Sequence, residues 1–244
     1  MMSRENTEIS VVTVNFNNSI GLHRTLESLT KITTLPNKII IIDAASTDNS
    51  LKVAREYEKQ LPLEIYSRPD NGIYDGMNKG LRYVTSGFVH YLNSGDAVYG
   101  DPYGDLCSES LLPVRIIDAN GEFISFDYVK LFGFGYNHQG IIFKSSHRNY
   151  DTRLKLAADR DLILRHFPKG LKRLMINSNG GVLYYLDGVS TEQARLGDLE
   201  ILRSFFNNRP AYFLQVLLFL LLKSLCPRPL RRLLMAPLSA FKKV

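Results

Sequence analysis

The stretch RPDNGIYDGMNKG, Arg68 to Gly80, gathers carboxylates, amides and glycines just before an apolar-patterned segment. Carboxylate and amide side chains hydrogen-bond polar ligands, and glycine allows close approach of a backbone to a ligand. The start of a helix also favours anionic groups. We therefore predict that this loop and helix start close over a polar, anionic ligand.

Further polar residues follow each of four apolar segments. They are Asn15 and Asn17 after the first, Asp43 after the second, Arg68 and Asp70 after the third, and Asn93, Ser94 and Asp96 after the fourth. In open α/β sheets, ligands bind at the carboxyl ends of parallel strands. We therefore expect these side chains to share one crevice that is rich in carboxylates and amides.

The elements that must position these residues follow from hydrophobic periodicity. The apolar segments EISVVTVNF, KIIIID, LEIYS and FVHYLNSGD alternate with the helix-patterned segments IGLHRTLESLTKI, STDNSLKVAREYEKQL and YDGMNKGLRYVTSG. This alternation predicts an α/β fold with a mostly parallel central sheet and helices on both faces. Beyond Asp96 we expect a β-rich stretch, a helix at LAADRDLILRHF and a short strand at GGVLYYLDG.

The composition is that of a folded protein, with 45% hydrophobic and 22% charged residues among 244. Cys107 and Cys226 match no zinc spacing and form no disulfide framework, which favours a reducing compartment. The first residues contain no apolar run typical of a signal peptide, so we expect a cytoplasmic location.

Positive charge is concentrated near the end of the chain. Residues 195–244 contain nine Lys or Arg against two acidic residues, a net charge of +7, while the whole chain carries +6. We therefore predict a catalytic domain at 1–194 and a helical basic tail at 195–244. Such a tail favours an anionic partner, either a membrane surface or nucleic acid.

The apolar run from Ala211 to Leu225 is shorter than the roughly 20 residues that span a bilayer. Apolar residues from Tyr212 to Leu220, followed by Arg228, Arg231 and Arg232, suit the bilayer interface. We expect residues 211–232 to bind the cytoplasmic face of the inner membrane peripherally, and we expect no nucleic acid partner. The alternatives are that this helix packs on the domain or forms a contact in a homo-oligomer.

Two common nucleotide sites are disfavoured. The turn NFNNSIG lacks the glycines of a dinucleotide-binding turn, and no GxxxxGK[ST] motif occurs. A nucleotide would instead be held through its base and ribose by amides and carboxylates, with a cation on its phosphates.

The segments VVTVNFNNS, IIIDAASTDNS, PDNGIYDGMNKG, HYLNSGD and AADRDLILR resemble, in order and spacing, those of family 2 glycosyltransferases. The resemblance covers about residues 8 to 190 and is closest to bacterial members that build surface polysaccharides. It implies an inverting enzyme with the GT-A fold that uses a nucleotide sugar.

The resemblance also implies roles for individual residues. Asp159 would be the catalytic base, Asp96 would bind Mn²⁺ or Mg²⁺, and His138 and Gln139 would border the acceptor. The donor would be bound by residues at the strand ends and in the glycine-containing loop, namely Asn15, Asn17, Asp43, Arg68, Asp70, Gly72, Asn78, Lys79, Asn93 and Ser94. Where relatives carry two or three aspartates, this chain has NSGD, with Asp96 as the single carboxylate.

The predicted function is transfer of a sugar from a nucleotide-diphosphate donor, a UDP-sugar, to a saccharide acceptor during surface polysaccharide synthesis. A polyprenyl-linked acceptor would explain membrane attachment. The alternatives are a catalytically silent membrane-associated assembly partner and a sugar nucleotidyltransferase, although the latter needs a glycine-rich basic N-terminal loop that NFNNS does not provide.

Simpler roles stay open for several residues. Asp43 would cap the next helix, Asp75 would be a plain helix-start charge, Asp96 would belong to an ordinary turn, and His138 would be a structural hydrogen-bonding residue. Asp161 is expected on the surface of its helix.

Overall fold

The computed structural model describes residues 8–225 except 86, 119, 128–134, 148 and 187–193. The first half alternates β1 (Ile9–Asn15), α1 (Ser19–Leu29), β2 (Lys38–Asp43), α2 (Ser50–Glu56), β3 (Leu63–Ser67), α3 (Ile73–Leu81) and β4 (Phe88–Tyr91). These are the strands and helices that the hydrophobic periodicity predicts.

The second half is more irregular. It contains β5 (Ala97–Gly100), β6 (Ser110–Leu111), β7 (Val114–Ile117), β8 (Phe123–Phe126), β9 (Ile141–Lys144), α4 (Ala158–His166), β10 (Met175–Ile176), β11 (Gly180–Tyr185), α5 (Ala194–Asn208) and α6 (Pro210–Leu225). A 3₁₀ turn at His138–Gly140 precedes β9.

Seven strands form the main sheet in the order β10-β6-β9-β4-β1-β2-β3, and β4, β1, β2 and β3 are parallel. The chain runs from β1 outward to β3 and then returns to the other side of β1, so the strand order reverses between β1 and β4. Ligands of open α/β sheets bind at such a reversal. A second sheet has the order β5-β11-β7-β8.

Helices cover both faces of the parallel strands. α1 and α2 pack together, whereas α3 packs on β1 and β2, and right-handed crossovers place α3 on the face opposite α1 and α2. The central strands are therefore apolar on both faces, and Val11, Val12 and Ile40 are fully buried.

Gly80 is required by packing rather than by a ligand. A Cβ at this position would lie 2.4 Å from Val12 Cγ1 and 3.3 Å from Ile42 Cγ1. The absence of a side chain therefore lets α3 approach β1 and β2 closely.

α5 is bound to the start of α4. The Glu200 carboxylate of α5 accepts hydrogen bonds from the backbone N–H groups of Lys155, Leu156 and Ala157 at 2.8–2.9 Å. These N–H groups belong to the N-cap residue Ala157 and to the two residues before it. Glu200 thus satisfies backbone amide groups of the segment that leads into α4.

The predicted surface position of Asp161 is wrong. Its side chain is buried and accepts hydrogen bonds from Arg165 Nε at 2.6 Å and from Asn208 Nδ2 at 2.9 Å. Asp161 therefore makes a second connection between α4 and α5. The sequence gives no sign of this contact because Asn208 lies 47 residues away.

The predicted apolar face of the last helix is partly wrong. Leu220 is buried against the core, whereas Leu214, Leu218 and Leu221 are 73%, 58% and 50% exposed. Arg228, Arg231 and Arg232 lie outside the described residues. Among the helices of the described residues, none is both long and apolar enough to cross a membrane.

We predict that Glu200→Ala lowers the free energy of unfolding by about 2 kcal/mol or more, because three backbone N–H groups lose their acceptor. Glu200→Gln should lose less, since one carbonyl oxygen remains. Urea denaturation measures both, and Glu58→Ala on the exposed end of the α2 region is the control. Equal stability of Glu200→Ala and wild type would contradict this role.

Candidate functional site

Asn15 joins three strand ends. Its Nδ2 donates to Asp43 Oδ1 at 2.9 Å, and its Oδ1 accepts from Ser94 Oγ at 2.8 Å. Asn15 and Asp43 are register partners on β1 and β2, while Ser94 follows β4. The predicted convergence of these residues is therefore present, and it lies where the strand order reverses.

The Asp43 carboxylate accepts hydrogen bonds from the loop after β2 and from the end of β3. The carboxylate also accepts from Ser46 Oγ at 2.5 Å, from Ser46 N at 2.9 Å and from Ser67 Oγ at 2.7 Å. Burial raises the pKa of Asp43, but the hydrogen bonds from Ser46, Asn15 and Ser67 outweigh it and leave the pKa below its usual value. Asp43 is therefore ionised at neutral pH.

Asp43 does not cap α2. The N-cap of α2 is Asn49, and the Asp43 oxygens are engaged by side chains and by Ser46 N. Four hydrogen bonds fill the usual acceptor capacity of a carboxylate. A ligand base that contacts Asp43 would therefore have to displace a serine hydroxyl.

The loops after β1 and β2 are locked together. Asn17 N donates to Ser46 Oγ at 2.9 Å, and Asn17 Oδ1 accepts from Thr47 N at 2.8 Å. Asn17 takes a left-handed conformation with φ of 46°, which asparagine tolerates better than most residues. Phe16 beside it is 63% exposed, an aromatic ring at the strand end that the apolar pattern of β1 did not distinguish from core.

The glycine-containing loop is held largely by its own side chains. Asp70 Oδ1 accepts from Gly72 N at 2.9 Å, and Asp75 Oδ2 accepts from Asn71 N at 2.9 Å. Gly72 has φ of 108° and open space around it, so this position needs glycine for its backbone conformation. The Arg68 side chain is exposed at the end of β3, next to this loop.

Asn78 and Lys79, both predicted to bind the donor, have partners within the protein. Asn78 Nδ2 donates to Tyr150 O at 3.0 Å, and Asn78 Oδ1 accepts from Tyr150 N at 2.8 Å. Lys79 Nζ lies 2.8 Å from Asp75 Oδ2 and donates to Pro69 O at 3.0 Å. Asn78 therefore holds the segment around Tyr150, and Lys79 neutralises the helix-start charge of Asp75.

The loop after β4 is clamped by Thr25 of α1. Thr25 Oγ1 donates to Asp96 O at 2.6 Å and accepts from Gly95 N at 3.0 Å. Gly95 has φ of 110°, a conformation that favours glycine. Asn93 Oδ1 is buried and has no hydrogen-bond partner among the described residues, so its capacity to accept a hydrogen bond is unused there.

The Asp96 carboxylate is buried and directed by two donors. Gln139 Nε2 donates to Oδ2 at 2.5 Å, and Tyr185 N donates to Oδ1 at 2.8 Å. Asp96 is therefore part of an organised network rather than an ordinary exposed turn. Gln139, predicted at the acceptor side, contacts the side chain of Asp96 directly.

The residues around Asp96 determine how a metal ion could be bound there. Among the described residues there is no group of three or more His, Cys, Asp or Glu that could hold a metal ion. Asp96 is the one carboxylate of the NSGD sequence, and Mg²⁺ is commonly bound through one or two protein carboxylates together with substrate phosphates. This arrangement fits Mg²⁺ held by one carboxylate together with substrate phosphates, and it does not fit a cage built by protein alone.

Asp159 lies in the first turn of α4 beside His138. Asp159 Oδ2 is 3.6 Å from His138 Nδ1, and Asp159 Oδ1 accepts from Arg160 N at 2.7 Å and from Tyr74 OH at 3.4 Å. Burial raises the pKa of Asp159, but the contacts with His138 and Arg160 outweigh it and hold the pKa below its usual value. Asp159 is therefore a carboxylate at neutral pH.

A continuous series of contacts connects Asp43, Asp96 and Asp159. Asp43 contacts Asn15, Asn15 contacts Ser94, and Ser94 lies in the loop that contains Asp96. From Asp96 the series continues to Gln139 by a hydrogen bond, and from its sequence neighbour His138 to Asp159. The structure therefore brings together residues separated by more than a hundred positions.

A separate cavity of about 190 Å³ is lined by residues 104–108, 110 and 175–179. It contains none of the predicted site residues and no carboxylate pair. We assign the candidate site to the strand ends, where Asp43 and Asp96 lie and where Asn93 Oδ1 has no hydrogen-bond partner among the described residues.

Comparison with known proteins shows similarity to glycosyltransferases. Residues 10–104 match the family model described as Glycosyl transferase family 2. The uncharacterized glycosyltransferase YibD of Escherichia coli K12 is 28% identical over 45% of this chain and 32% of its own length. The uncharacterized glycosyltransferase Rv1514c of Mycobacterium tuberculosis H37Rv is 33% identical over 38% of this chain and 35% of its own. The chain thus matches about a third of each relative.

Solved structures show the same fold. The crystal structure of S. aureus TarS 1–349 in complex with UDP has a TM-score of 0.66 and 18% identity, covering 96% of this chain and 77% of that one. The complex of TarS 1–349 with UDP-GlcNAc has a TM-score of 0.61 and 16% identity, over 86% and 70% of the two chains. The predicted GT-A fold is confirmed.

We predict that Asp43→Asn lowers the free energy of unfolding at pH 7 by about 1–3 kcal/mol, because in either orientation the new amide NH₂ faces Asn15 Nδ2 or Ser46 N. The folded-state pKa of Asp43 is lowered, so its stabilisation is complete above the unfolded pKa of about 3.9 and is lost as the pH falls through the folded value. The difference between wild type and variant should therefore shrink in acid.

Urea denaturation between pH 3 and pH 8 measures this difference. Asp118→Asn is the matched control, because Asp118 Oδ1 alone accepts both backbone N–H groups of its turn and an amide oxygen can replace it. A constant difference across the pH range would contradict the ionised role of Asp43.

Proposed function

We propose that this chain, whose residues 10–104 match the family model described as Glycosyl transferase family 2, is an inverting glycosyltransferase. It moves a sugar from a nucleotide-diphosphate donor, a UDP-sugar, to a hydroxyl group of a saccharide acceptor. The observation that carries the proposal is the connected series of contacts from Asp43 to Asp159. This series supports the proposal because it connects Asp43, Asp96 and Asp159, to which we assign the nucleotide, the diphosphate and the base role.

The donor would occupy the strand ends. Asn93 Oδ1 has no partner among the described residues, and the exposed guanidinium of Arg68 extends from the end of β3. A guanidinium binds phosphate oxygens through paired hydrogen bonds. The fold shared with TarS, which is solved in complexes with UDP and with UDP-GlcNAc, supports UDP as the nucleotide.

Asp159 would act as the base. The acceptor oxygen attacks the anomeric carbon, the bond from that carbon to the diphosphate oxygen breaks, and the hydroxyl proton passes to an Asp159 oxygen. A positioned carboxylate contributes roughly 10²–10⁴ to the rate of such a step. The lowered pKa keeps Asp159 unprotonated before reaction. A single displacement with the base opposite the leaving group inverts the anomeric centre.

Asp96 would hold a divalent cation, Mg²⁺ or Mn²⁺, together with the donor diphosphate. The cation would neutralise the negative charge that develops on the leaving diphosphate. Asp96 and Asp159 would both lie close to an anionic donor, so an additional positive charge would be electrostatically favourable. Asn93 and Ser94, which precede Asp96, would contribute neutral oxygen atoms to the same edge.

The acceptor side would face a membrane. Leu214, Leu218 and Leu221 recur with helical spacing and form one exposed apolar face of α6. The sequence after this helix, residues 226–244, carries five Lys or Arg and no acidic residue. An apolar face next to cationic chain suits the surface of an anionic bilayer. A lipid-linked saccharide would then be within reach, in surface polysaccharide synthesis.

We predict that a UDP-sugar binds wild type and raises its melting temperature, and that the bound donor is consumed with acceptor or slowly hydrolysed by water. Asp159→Asn should bind UDP as wild type does, while turnover falls at least about 100-fold because the proton acceptor is lost. Calorimetry with UDP and release of UDP from a panel of donors in the presence of Mn²⁺ measure the two effects.

Asp161→Asn is the matched control, since Asp161 is the neighbouring α4 carboxylate and contacts Arg165 and Asn208 instead. Any turnover lost there should follow lost stability. A wild type that binds and consumes none of the donors would be a silent assembly protein, and full turnover by Asp159→Asn would remove Asp159 as the base.

We predict that the full chain binds vesicles containing anionic phospholipid more tightly than zwitterionic vesicles, and that high salt weakens this binding. The double substitution Leu214→Ser with Leu218→Ser should reduce vesicle binding about 10-fold, because apolar area is no longer buried in the bilayer interface. Cosedimentation measures the bound fraction.

Leu35→Ser, which removes an exposed leucine from the loop after α1, is the control and should bind as wild type does. If the double variant also binds like wild type, the exposed face of α6 has another partner, such as a second copy of this chain. Analytical ultracentrifugation would detect that copy.

A further inference from the structure

The turn that contains His138 and Gln139 is fixed on several sides. Asn137 Oδ1 accepts from Gln139 N at 3.0 Å, and Gly140 O accepts from Leu112 N at 2.8 Å. A Cβ on Gly140 would lie 2.4 Å from Val114 Cγ2, so the turn packs tightly on β7. A segment held in this way can set the positions of the side chains it carries.

The side chain of Gln139 is held at both ends of its amide group. Its Oε1 accepts from Asn93 N at 2.7 Å, and its Nε2 donates to Asp96 Oδ2 at 2.5 Å. The residue is 1% exposed. The orientation of the amide follows from its partners, because a backbone N–H can only donate and a carboxylate can only accept.

A buried histidine fixes the backbone of Gln139. His90 Nε2 lies 2.6 Å from Gln139 O, and His90 Nδ1 lies 2.8 Å from Tyr103 OH. Burial lowers the pKa of His90 to about 4, so the ring is neutral at pH 7. Because the carbonyl can only accept, Nε2 carries the proton and Nδ1 accepts from the tyrosine hydroxyl.

The neighbouring residue reaches a different carboxylate. His138 Nδ1 is 3.6 Å from Asp159 Oδ2, and His138 is 9% exposed. Two adjacent residues of one turn therefore each contact one carboxylate of the candidate site. Asp96 belongs to the loop after β4 and Asp159 to α4, so the turn is the structural connection between them.

We propose that this turn is a positioning element for the reaction. Gln139 orients Asp96 toward the donor diphosphate, and His138 orients Asp159 toward the acceptor hydroxyl. The spacing between leaving group and base is then set by one rigid turn rather than by two independent loops. This inference rests on the proposed glycosyltransferase function, and neither Gln139 nor His138 is required to touch the substrate.

The two positioning roles differ in what they change. Gln139→Met keeps the side-chain volume and removes both hydrogen bonds, so it should weaken UDP binding in the presence of Mn²⁺ by roughly 10- to 100-fold, as outer-shell substitutions do. His138→Leu should leave the UDP dissociation constant within about twofold of wild type and lower kcat by roughly 10-fold or more. His138→Asn retains a donor near the Nδ1 position and should restore most of the turnover.

Calorimetry with UDP and Mn²⁺, donor turnover and thermal melting of the full chain give the three measurements. His23→Leu is the stability control, because it removes a His–Tyr hydrogen bond of 2.9 Å between α1 and Tyr57. This control should change melting temperature alone. Opposite effects of the two turn variants on binding and on kcat would support the positioning element.

Unchanged UDP binding by Gln139→Met would overturn the proposal, as would changes in binding and kcat that simply follow the loss of melting temperature in every variant. Failure of His138→Asn to exceed His138→Leu in turnover would remove the role of His138. A wild type that neither binds UDP nor consumes a UDP-sugar would overturn the proposed function itself, an outcome distinct from selective failure of the turn variants.

Discussion

The side-chain amide of Asn15 occupies the junction on which the candidate site depends. It donates to Asp43 on one neighbouring strand and accepts from Ser94 after the other. An amide is suited to this place because it offers a donor on one side and an acceptor on the other. The junction coincides with the reversal of strand order between β1 and β4, the position at which open α/β sheets bind ligands.

The three aspartates of the candidate site have different surroundings. Asp43 accepts four hydrogen bonds and organises a loop. The Asp96 carboxylate accepts hydrogen bonds from Gln139 Nε2 and from Tyr185 N. Asp159 lies beside a histidine and a tyrosine hydroxyl at the start of a helix. Each carboxylate is stabilised by donors that fit one task, since a buried anion without partners would be costly.

The C-terminal helices contribute to the site from a distance. Glu200 on α5 accepts hydrogen bonds from the backbone amide groups just before α4, and Asp159 lies in the first turn of α4. The position of the proposed base therefore depends on a helix that follows it by some 40 residues. α6, which continues from α5, exposes leucines on its outer face. α5 thus contacts the segment before Asp159, and α6 exposes an apolar surface.

Local pattern was sufficient to predict the α/β fold and the convergence of Asn15, Asp43, Ser94 and Asp96, because alternating buried strands and helices leave few arrangements of a parallel sheet. Local pattern was insufficient where a residue type suits two roles. Asparagine and glycine both occur in ligand-binding loops. In this structure, however, Asn78 hydrogen-bonds the backbone of Tyr150, and Gly80 allows α3 to pack closely on β1 and β2. The contacts of Gln139 with Asp96 and of Glu200 with α4 join residues 43 or more positions apart. Only the tertiary structure decides such pairs, because they depend on how separate elements meet in space and leave no periodicity in the chain.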